Sequence, residues 1–144
     1  MCASYALPTN ADVLLDTSAA VRLVTASEHD VSSLKERTRG LALGLAGHAQ
    51  FETYSVLTRL PGALRVSAPV ARRIIETNFP ATHFLSAASA AAAMSDLMAA
   101  QIVGGSVYDG LVALAARESG VVLLRCDRRA IGTYAMLGVP FELF

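Results

Sequence analysis

Short apolar runs alternate along the chain with longer segments in which apolar residues recur at helical spacing. The run Val13-Leu14-Leu15 is apolar at every position and ends at Asp16, and Val121 to Leu124 has the same character. Strands that are buried on both faces have sequences of this kind. The predicted strands are Val13 to Leu15, Leu41 to Leu45, a weak one from Thr82 to Leu85, Val121 to Leu124, and Phe141 to Phe144.

The segments between these runs predict helices, several of which end at a glycine. The predicted helices run from Thr17 to Leu23, His29 to Arg39, Gln50 to Leu60, Pro69 to Glu76, Ser89 to Gln101, Ser106 to Glu118, and Asp127 to Leu137. Short strands that alternate with helices indicate an α/β fold, a three-layer α/β/α sandwich around a mainly parallel central sheet. A chain of 144 residues fits one domain that spans positions 1–144.

Composition excludes disorder, because 53% of the residues are hydrophobic and only 17% are charged. Twelve cationic and 12 acidic residues give a formal net charge of zero, so no global basic field indicates nucleic-acid binding. Lys35 is the only lysine among the cations. The chain therefore carries mostly planar guanidinium groups, which bind carboxylates and phosphates through two hydrogen bonds.

Compartment and membrane association follow from a few positions. The mean hydropathy of +0.46 raises the question of a membrane span, but the best candidate, residues 84–108, carries Asp96 in its middle. We therefore predict no membrane association. The segment Met1 to Tyr5 lacks the basic and apolar pattern of a signal peptide. Cys2 and Cys126 form neither a disulfide framework nor a zinc motif, which favours a reducing, cytoplasmic compartment.

Four acidic residues lie in hydrophobic surroundings. Asp16 and Asp127 directly follow predicted buried strands, and Glu52 and Asp109 lie near the starts of predicted helices. Chemistry in parallel sheets gathers beyond the carboxyl ends of the strands. Each position also has a purely structural interpretation. Asp16 and Asp127 fit helix N-caps, Asp109 fits a capping box with Ser106, and Glu52 fits a solvent-facing position that the helix dipole favours.

Four clustered carboxylates repel one another, and in isolation they would hold protons. A bound divalent cation removes that penalty. Oxygen ligands without His or Cys indicate a hard ion, Mg²⁺ or Mn²⁺, rather than zinc. Such ions suit phosphodiester chemistry, because they activate water and stabilise the leaving oxygen. When these four acids are set aside, 12 cations face eight acids, so the rest of the chain is mildly rich in arginine.

Four segments of the chain resemble the motifs of PIN-domain ribonucleases, in particular VapC-type toxins of bacterial toxin–antitoxin modules. They are Leu14 to Ala19, Phe51 to Pro61, Tyr108 to Ala115, and Leu123 to Ala130. Their order and spacing agree with the family, and the resemblance extends from about Val13 to Phe144. It implies a Mg²⁺- or Mn²⁺-dependent endoribonuclease that a cognate antitoxin holds inactive.

The resemblance also implies roles for the four acids. Asp16 and Asp109 would be the firmest metal ligands. Glu52 would position or deprotonate the attacking water, and Asp127 would hold a second metal or a bridging water. Water would then attack phosphorus in line with the 3′ oxygen and leave a 5′-phosphate and a 3′-hydroxyl.

Five further residues are candidates for substrate binding. Thr17 or Ser18 matches the small hydroxyl residue that the family has beside its first acid, although helix-start chemistry also explains both. Arg125 stands where the family usually has Thr or Ser, and it would reach the scissile phosphate or pair with a carboxylate. Arg128 and Arg129 would contact RNA phosphates, or are solvated charges.

Other polar and aromatic residues have simpler interpretations. The three histidines, His29, His48 and His83, share no helix face, so we predict solvated or capping side chains rather than ligands. Tyr54 and Tyr108 are expected in the core, because no aromatic ladder indicates a stacking platform for bases.

The resemblance implies RNA and an antitoxin as partners. A helical antitoxin segment would bury apolar surface near Leu41 to Leu60 and place an arginine among the carboxylates. A homodimer is expected, with the Ala-rich helix Ser89 to Gln101 allowing close packing, and a heterotetramer or larger assembly with antitoxin.

Two other functions compete with this interpretation. A catalytically silent PIN-like binding module is the alternative, because Arg125 replaces the usual hydroxyl. A phosphatase on a doubly wound sheet is disfavoured, since Ser18 stands where an Asp-x-Asp pair needs its second acid.

Overall fold

The structure, a computed structural model, describes residues 10–144, so the predictions about Met1 to Tyr5 and Cys2 lie outside it. A parallel four-stranded sheet forms the centre, in the order β2-β1-β3-β4. Its strands are β1 (Val13–Leu15), β2 (Leu43–Leu45), β3 (Leu123–Arg125) and β4 (Phe141–Leu143). The apolar residues of β1 and β3 are buried, as the continuous apolar runs predict, and Arg125 at the end of β3 is buried as well.

Seven helices surround the sheet in the described part of the chain. They are α1 (Thr17–Thr25), α2 (Ser32–Thr38), α3 (Ala49–Arg59), α4 (Ala68–Asn78), α5 (Ala87–Ala99), α6 (Ser106–Ser119) and α7 (Ile131–Met136). A short 3₁₀ turn follows α3 at Gly62–Leu64. Helix α3 packs against α1 and α4, and α6 packs against α5 and α7. The prediction of an α/β/α sandwich with a parallel sheet is confirmed.

Two glycines allow close approaches that fix this packing. A Cβ on Gly44 of β2 would collide with the backbone of Ala81, and a Cβ on Gly110 of α6 would collide with the side chain of Leu97 on α5. Helix α6 is thereby held close to α5, with Asp109 in its first turn. Within residues 10–144, no helix combines the length and the apolar character that crossing a bilayer requires.

Three element predictions are wrong in detail. The strand expected from Thr82 to Leu85 is a single bridge between His83 and Ala46. The ladder stops because the Thr82 hydroxyl accepts the Leu45 N–H at 3.0 Å in place of a backbone carbonyl. The helix predicted from His29 begins three residues later, at Ser32. The helix predicted from Asp127 begins at Ile131, because a turn occupies the residues between.

A partly buried polar cluster joins the end of α6 to the start of α5. The Glu118 carboxylate accepts hydrogen bonds from the Ser86 N–H (3.0 Å), the Ser86 hydroxyl (2.6 Å) and the Ser89 hydroxyl (2.7 Å). His83 Nε2 lies 3.1 Å from the same carboxylate, and the imidazole is buried, so the prediction of a solvated or capping His83 is wrong. His29 is exposed as predicted. The cluster joins α5 to the far end of α6, the helix that carries Asp109 in its first turn.

Candidate active site

All four acidic residues singled out from the sequence line one cavity of about 630 Å³. Asp16 directly follows β1, and Asp127 lies two residues after the neighbouring strand β3. Glu52 lies in the first turn of α3, and Asp109 in the first turn of α6. The parallel sheet therefore delivers two carboxylates, and two helices that begin near the same edge deliver the others.

Asp16 is buried at the base of this cavity. Its Oδ1 atom accepts hydrogen bonds from the Ser18 hydroxyl at 2.6 Å and from the Ala19 N–H at 3.0 Å, so Asp16 is the N-cap of α1 as well as a cavity residue. Its Oδ2 atom accepts a hydrogen bond from the Tyr134 hydroxyl at 3.1 Å. Burial raises the pKa of Asp16, and these hydrogen bonds offset only part of the rise.

Thr17 and Ser18 hold carboxylates rather than face the solvent freely. The Thr17 hydroxyl donates to Glu52 Oε2 at 2.8 Å. The Ser18 hydroxyl donates to Asp16 and accepts the Cys126 N–H at 2.9 Å, which ties α1 to the end of β3. Both hydroxyls are thus engaged in positioning acids of the cavity.

Asp109 carries the strongest sign of crowded negative charge. Burial raises its pKa, and repulsion from Glu52, Asp16 and Asp127 raises it further. The capping box predicted with Ser106 is wrong, because the N-cap of α6 is Gly105 and makes no side-chain cap. Within the described chain, no hydrogen bond engages the Asp109 carboxylate, which leaves its oxygens available to a ligand.

Glu52 stands at the half-exposed rim of the cavity. Thr17 fixes one of its oxygens, and the other, Oε1, lies 3.9 Å from Nε2 of His48. The solvent-facing position predicted for Glu52 therefore accounts for its exposure but not for the contacts of its carboxylate. Its carboxylate is held by Thr17 and faces the His48 ring.

Asp127 pairs with an exposed arginine instead of capping a helix. Its Oδ1 atom accepts the Arg129 N–H at 2.9 Å, and its Oδ2 atom pairs with Arg129 Nε at 2.9 Å. These bonds lower the pKa of Asp127, the backbone bond most of all. The N-cap prediction for Asp127 is wrong, because α7 begins four residues later. Arg128 is exposed nearby, and the Arg129 side chain is 92% exposed.

Arg125 occupies an unexpected position. Its side chain is fully buried beside the cavity, with its guanidinium carbon 4.8 Å from the ring centroid of Tyr134 and 6.0 Å from that of Phe141. Among residues 10–144, none of its three side-chain nitrogens has a hydrogen-bond partner. Neither expected contact is present, since a buried side chain offers no surface to a phosphate and no salt bridge forms. The guanidinium lies over the Tyr134 ring instead.

Tyr134 is a site residue that the sequence did not reveal. It is buried, its hydroxyl donates to Asp16, and its ring supports Arg125. Burial and the negative charge of Asp16 raise the pKa of its hydroxyl far above the ordinary value, so it acts as a hydrogen-bond donor. A single tyrosine in an apolar helix carries no sequence signal for this role.

Exposed aromatic rings surround part of the site. Tyr108 is 53% exposed and Tyr54 is 41% exposed, so the prediction that both lie in the core is wrong. The His48 ring stacks on Tyr108 at a centroid distance of 5.2 Å, and Phe51 contacts Phe84 at 5.9 Å. Helical spacing identifies a hydrophobic face but does not show whether another element covers it.

The donor chemistry of the cavity fits a hard divalent cation. Its titratable ligands are carboxylates, which hard ions prefer. Burial raises the pKa of Asp109 and repulsion from Glu52 and Asp16 raises it further, and a bound cation would offset both effects. In the described residues, no three potential ligands converge into a ready coordination sphere. Two of the acids are engaged elsewhere: Asp16 is hydrogen-bonded to the start of α1 and to Tyr134, and Asp127 is paired with Arg129.

Comparisons with known proteins place this chain in a family. The PIN domain matches residues 13–135. The chain is 39% identical over 125 residues to ribonuclease VapC27 of Mycobacterium tuberculosis, over 87% of this chain and 91% of that protein. It is 37% identical over 120 residues to ribonuclease VapC40 of the same species, over 82% and 89%.

Solved structures share the fold at low sequence identity. FitAB bound to a DNA fragment matches with a TM-score of 0.67 and 16% identity, over 91% of this chain and 94% of that chain. VapBC2 from Rickettsia felis bound to a promoter DNA fragment matches with a TM-score of 0.65 and 12% identity, over 92% and 98%. The resemblance that the four motifs indicated is confirmed. The protein belongs to the PIN-domain family, as a relative of the VapC ribonucleases.

Proposed function

We propose that this protein is a Mg²⁺-dependent endoribonuclease, with Mn²⁺ as a substitute, and the toxin of a toxin–antitoxin module. The observation that carries the proposal is the convergence of Asp16, Glu52, Asp109 and Asp127 on one cavity at the carboxyl edge of a parallel sheet. Membership of the PIN-domain family and relatives named as ribonucleases support the same activity.

Each carboxylate has a role that its surroundings support. Asp16 and Asp109 would hold the ion most firmly, and Asp127 would contribute after turning away from Arg129. When bound, the ion lowers the pKa of water and neutralises charge on the phosphate. Glu52, oriented by Thr17 at 2.8 Å, would accept the proton of the attacking water.

The residues around the acids suggest how RNA is held. Arg128 and Arg129 project into solvent, where guanidinium groups can bind phosphates in two-pronged fashion. Thr17 and Ser18 would act on the substrate indirectly, because their hydroxyls already donate hydrogen bonds to Glu52 and Asp16. Arg125 has no direct substrate contact in this arrangement.

A catalytically silent binding module remains the second candidate. This candidate is favoured because, within residues 10–144, no three potential ligands are arranged to coordinate a metal ion. The two candidates differ in one property, because only the enzyme requires a divalent ion to act on RNA.

Metal removal tests the proposed function. Treatment with EDTA followed by dialysis is expected to abolish RNA cleavage, and added Mg²⁺ or Mn²⁺ is expected to restore it, because four clustered carboxylates cannot bind an anionic phosphodiester unaided. Cleavage is measured on a structured RNA by denaturing gel. Cleavage that persists in EDTA would contradict the metal dependence, and its absence under all conditions would favour the silent module.

An antitoxin is the proposed protein partner. Two of the similar structures contain FitAB and VapBC2, each bound to a DNA fragment. In this chain, helix α3 exposes Phe51 and Tyr54 next to the acid-lined cavity. Such an exposed apolar surface suits an amphipathic segment, and an arginine of that segment would neutralise the carboxylates. We expect a short reading frame for a DNA-binding protein directly beside the gene.

A homodimer is proposed through the apolar groove of α5 and α6. The groove has a volume of about 640 Å³ and is lined by Ala93, Leu97 and Ile102 among others. Met94 and Met98 on its rim are 81% and 73% exposed, which is costly for large apolar side chains in water.

Met98→Glu is expected to convert the dimer to a monomer, because a carboxylate would be buried without a partner in the interface. The apparent mass is measured by light scattering after gel filtration at micromolar concentration. Ala92→Glu is the matched control, since Ala92 is exposed on α5 outside the groove. A wild-type protein that is monomeric at this concentration would contradict the proposal.

A further inference from the structure

We propose that Arg125 is a built-in counter-cation of the carboxylate site, which takes the electrostatic place of a second divalent ion and limits the site to one. The inference rests on the proposed function, because it concerns the ion that the four acids would hold. It assigns Arg125 as a positioning residue for charge, since its side chain has no surface with which to touch a substrate.

The first observation is an unpaired buried cation. Arg125 is fully buried, and its Nε and both terminal nitrogens have no hydrogen-bond partner among residues 10–144. A buried charge without partners is strongly destabilising unless other groups compensate for it. The face of the Tyr134 ring at 4.8 Å supplies a cation–π contact, which is weaker than an ion pair. Most of the compensation must therefore come from charge nearby.

The second observation is the position of the negative charge near Arg125. Arg125 lines the same cavity as the four acids. Tyr134 contacts both the buried cation and one of the acids. Its ring face packs against Arg125, and its hydroxyl donates to Asp16 Oδ2 at 3.1 Å. Burial raises the pKa of Asp16 and of Asp109, and the positive charge of Arg125 opposes both rises. The guanidinium thus acts on the carboxylates through space rather than through a salt bridge.

A fixed internal cation has a defined effect on metal binding. It partly neutralises the acids before any ion arrives, and it repels a cation that enters the cavity. Solvent and salt screen this repulsion poorly, because Arg125 is buried. Two further cations line the cavity, Arg22 and Arg129. Arg22 is only partly buried and donates to the Asp30 carbonyl at 3.0 Å, and Arg129 is 92% exposed and can move away from Asp127. Arg125 cannot withdraw without disrupting the packing on Tyr134 and Phe141.

Calorimetric titration of the EDTA-stripped full chain with MnCl₂ tests this inference. We expect one ion per wild-type chain. Arg125→Met and Arg125→Gln are expected to bind Mn²⁺ at least about tenfold more tightly, because they remove the internal charge. Arg125→Lys keeps the charge and is expected to bind as the wild type does. Arg73→Met is the control, since Arg73 is exposed on α4.

Each outcome decides the inference. Equal or weaker binding by both neutral variants, or two ions per wild-type chain, would overturn it while leaving the proposed function intact. No binding by the wild type or by any variant would overturn the metal-dependent function as well. Circular dichroism identifies a variant that fails to fold, and two neutral replacements of different polarity ensure that one folded variant is compared with Arg125→Lys.

Discussion

Asp16→Asn is expected to lower the rate of RNA cleavage by at least about a hundredfold without loss of the fold. Asparagine has the shape of aspartate and is an equally good N-cap, so its oxygen can still accept the Ala19 N–H that starts α1. What disappears is the negative charge at the base of the cavity, which is a proposed ligand of the ion. The measurement is kcat/KM on a labelled RNA in the presence of Mg²⁺.

The thermal stability of this variant provides a second readout. Because burial raises the pKa of Asp16, its ionised form costs folding free energy, and Asp16→Asn should melt at the same temperature or higher. Asp96→Asn is the matched control, since Asp96 pairs with Arg117 on α5 and α6 away from the cavity. Cleavage at the wild-type rate by Asp16→Asn would refute the catalytic assignment.

Glu118→Gln is expected to destabilise the protein by about 2–3 kcal/mol at pH 7. Burial would raise the pKa of Glu118, but hydrogen bonds from Ser86, Ser89 and His83 lower it to about 2. The variant keeps the size of the side chain and loses the charge that these donors stabilise. The free energy of unfolding is measured by urea denaturation.

The pH dependence of the unfolding free energy distinguishes this loss of charge from a loss of packing. A carboxyl group with a depressed pKa stabilises the folded state fully above its unfolded value of 4.5, and the contribution is lost as the pH falls towards about 2. The difference between wild type and Glu118→Gln should therefore shrink at pH 3. Glu76→Gln, which removes an exposed pair with Arg72, should change stability by less than about 0.5 kcal/mol at either pH. An equal difference at pH 7 and pH 3 would contradict the account.

The sequence predicts the central features of the fold because they depend on local patterns. The apolar runs at Val13 to Leu15 and Val121 to Leu124 predict buried strands, and this prediction does not require knowing which elements pack against them. Once those strands are parallel neighbours, Asp16 and Asp127 must lie at one edge of the sheet. The convergence of the acids thus follows from the pattern and a topological rule, and the resemblance to a family agrees with it.

Other features could not be predicted because they depend on contacts between distant segments. Glu118 and Ser86 lie 32 residues apart, and nothing local shows that their side chains meet. Tyr134 and Asp16 are separated by 118 residues. Arg125 resembles an exposed active-site arginine in the sequence, and only the packing of α7 and β4 shows that it is buried. Tyr108 has the spacing of a core residue, but no element covers it among residues 10–144.

The chemical ends of the RNA products test the central claim, hydrolysis by a water that the carboxylate site activates. A synthetic RNA that the purified protein cleaves in the presence of Mg²⁺ is analysed by mass spectrometry. We predict a 5′-phosphate and a 3′-hydroxyl at every cut, with no products when EDTA is present. Products that end in a 2′,3′-cyclic phosphate and form in EDTA would contradict it, because the 2′-hydroxyl rather than water would then be the nucleophile.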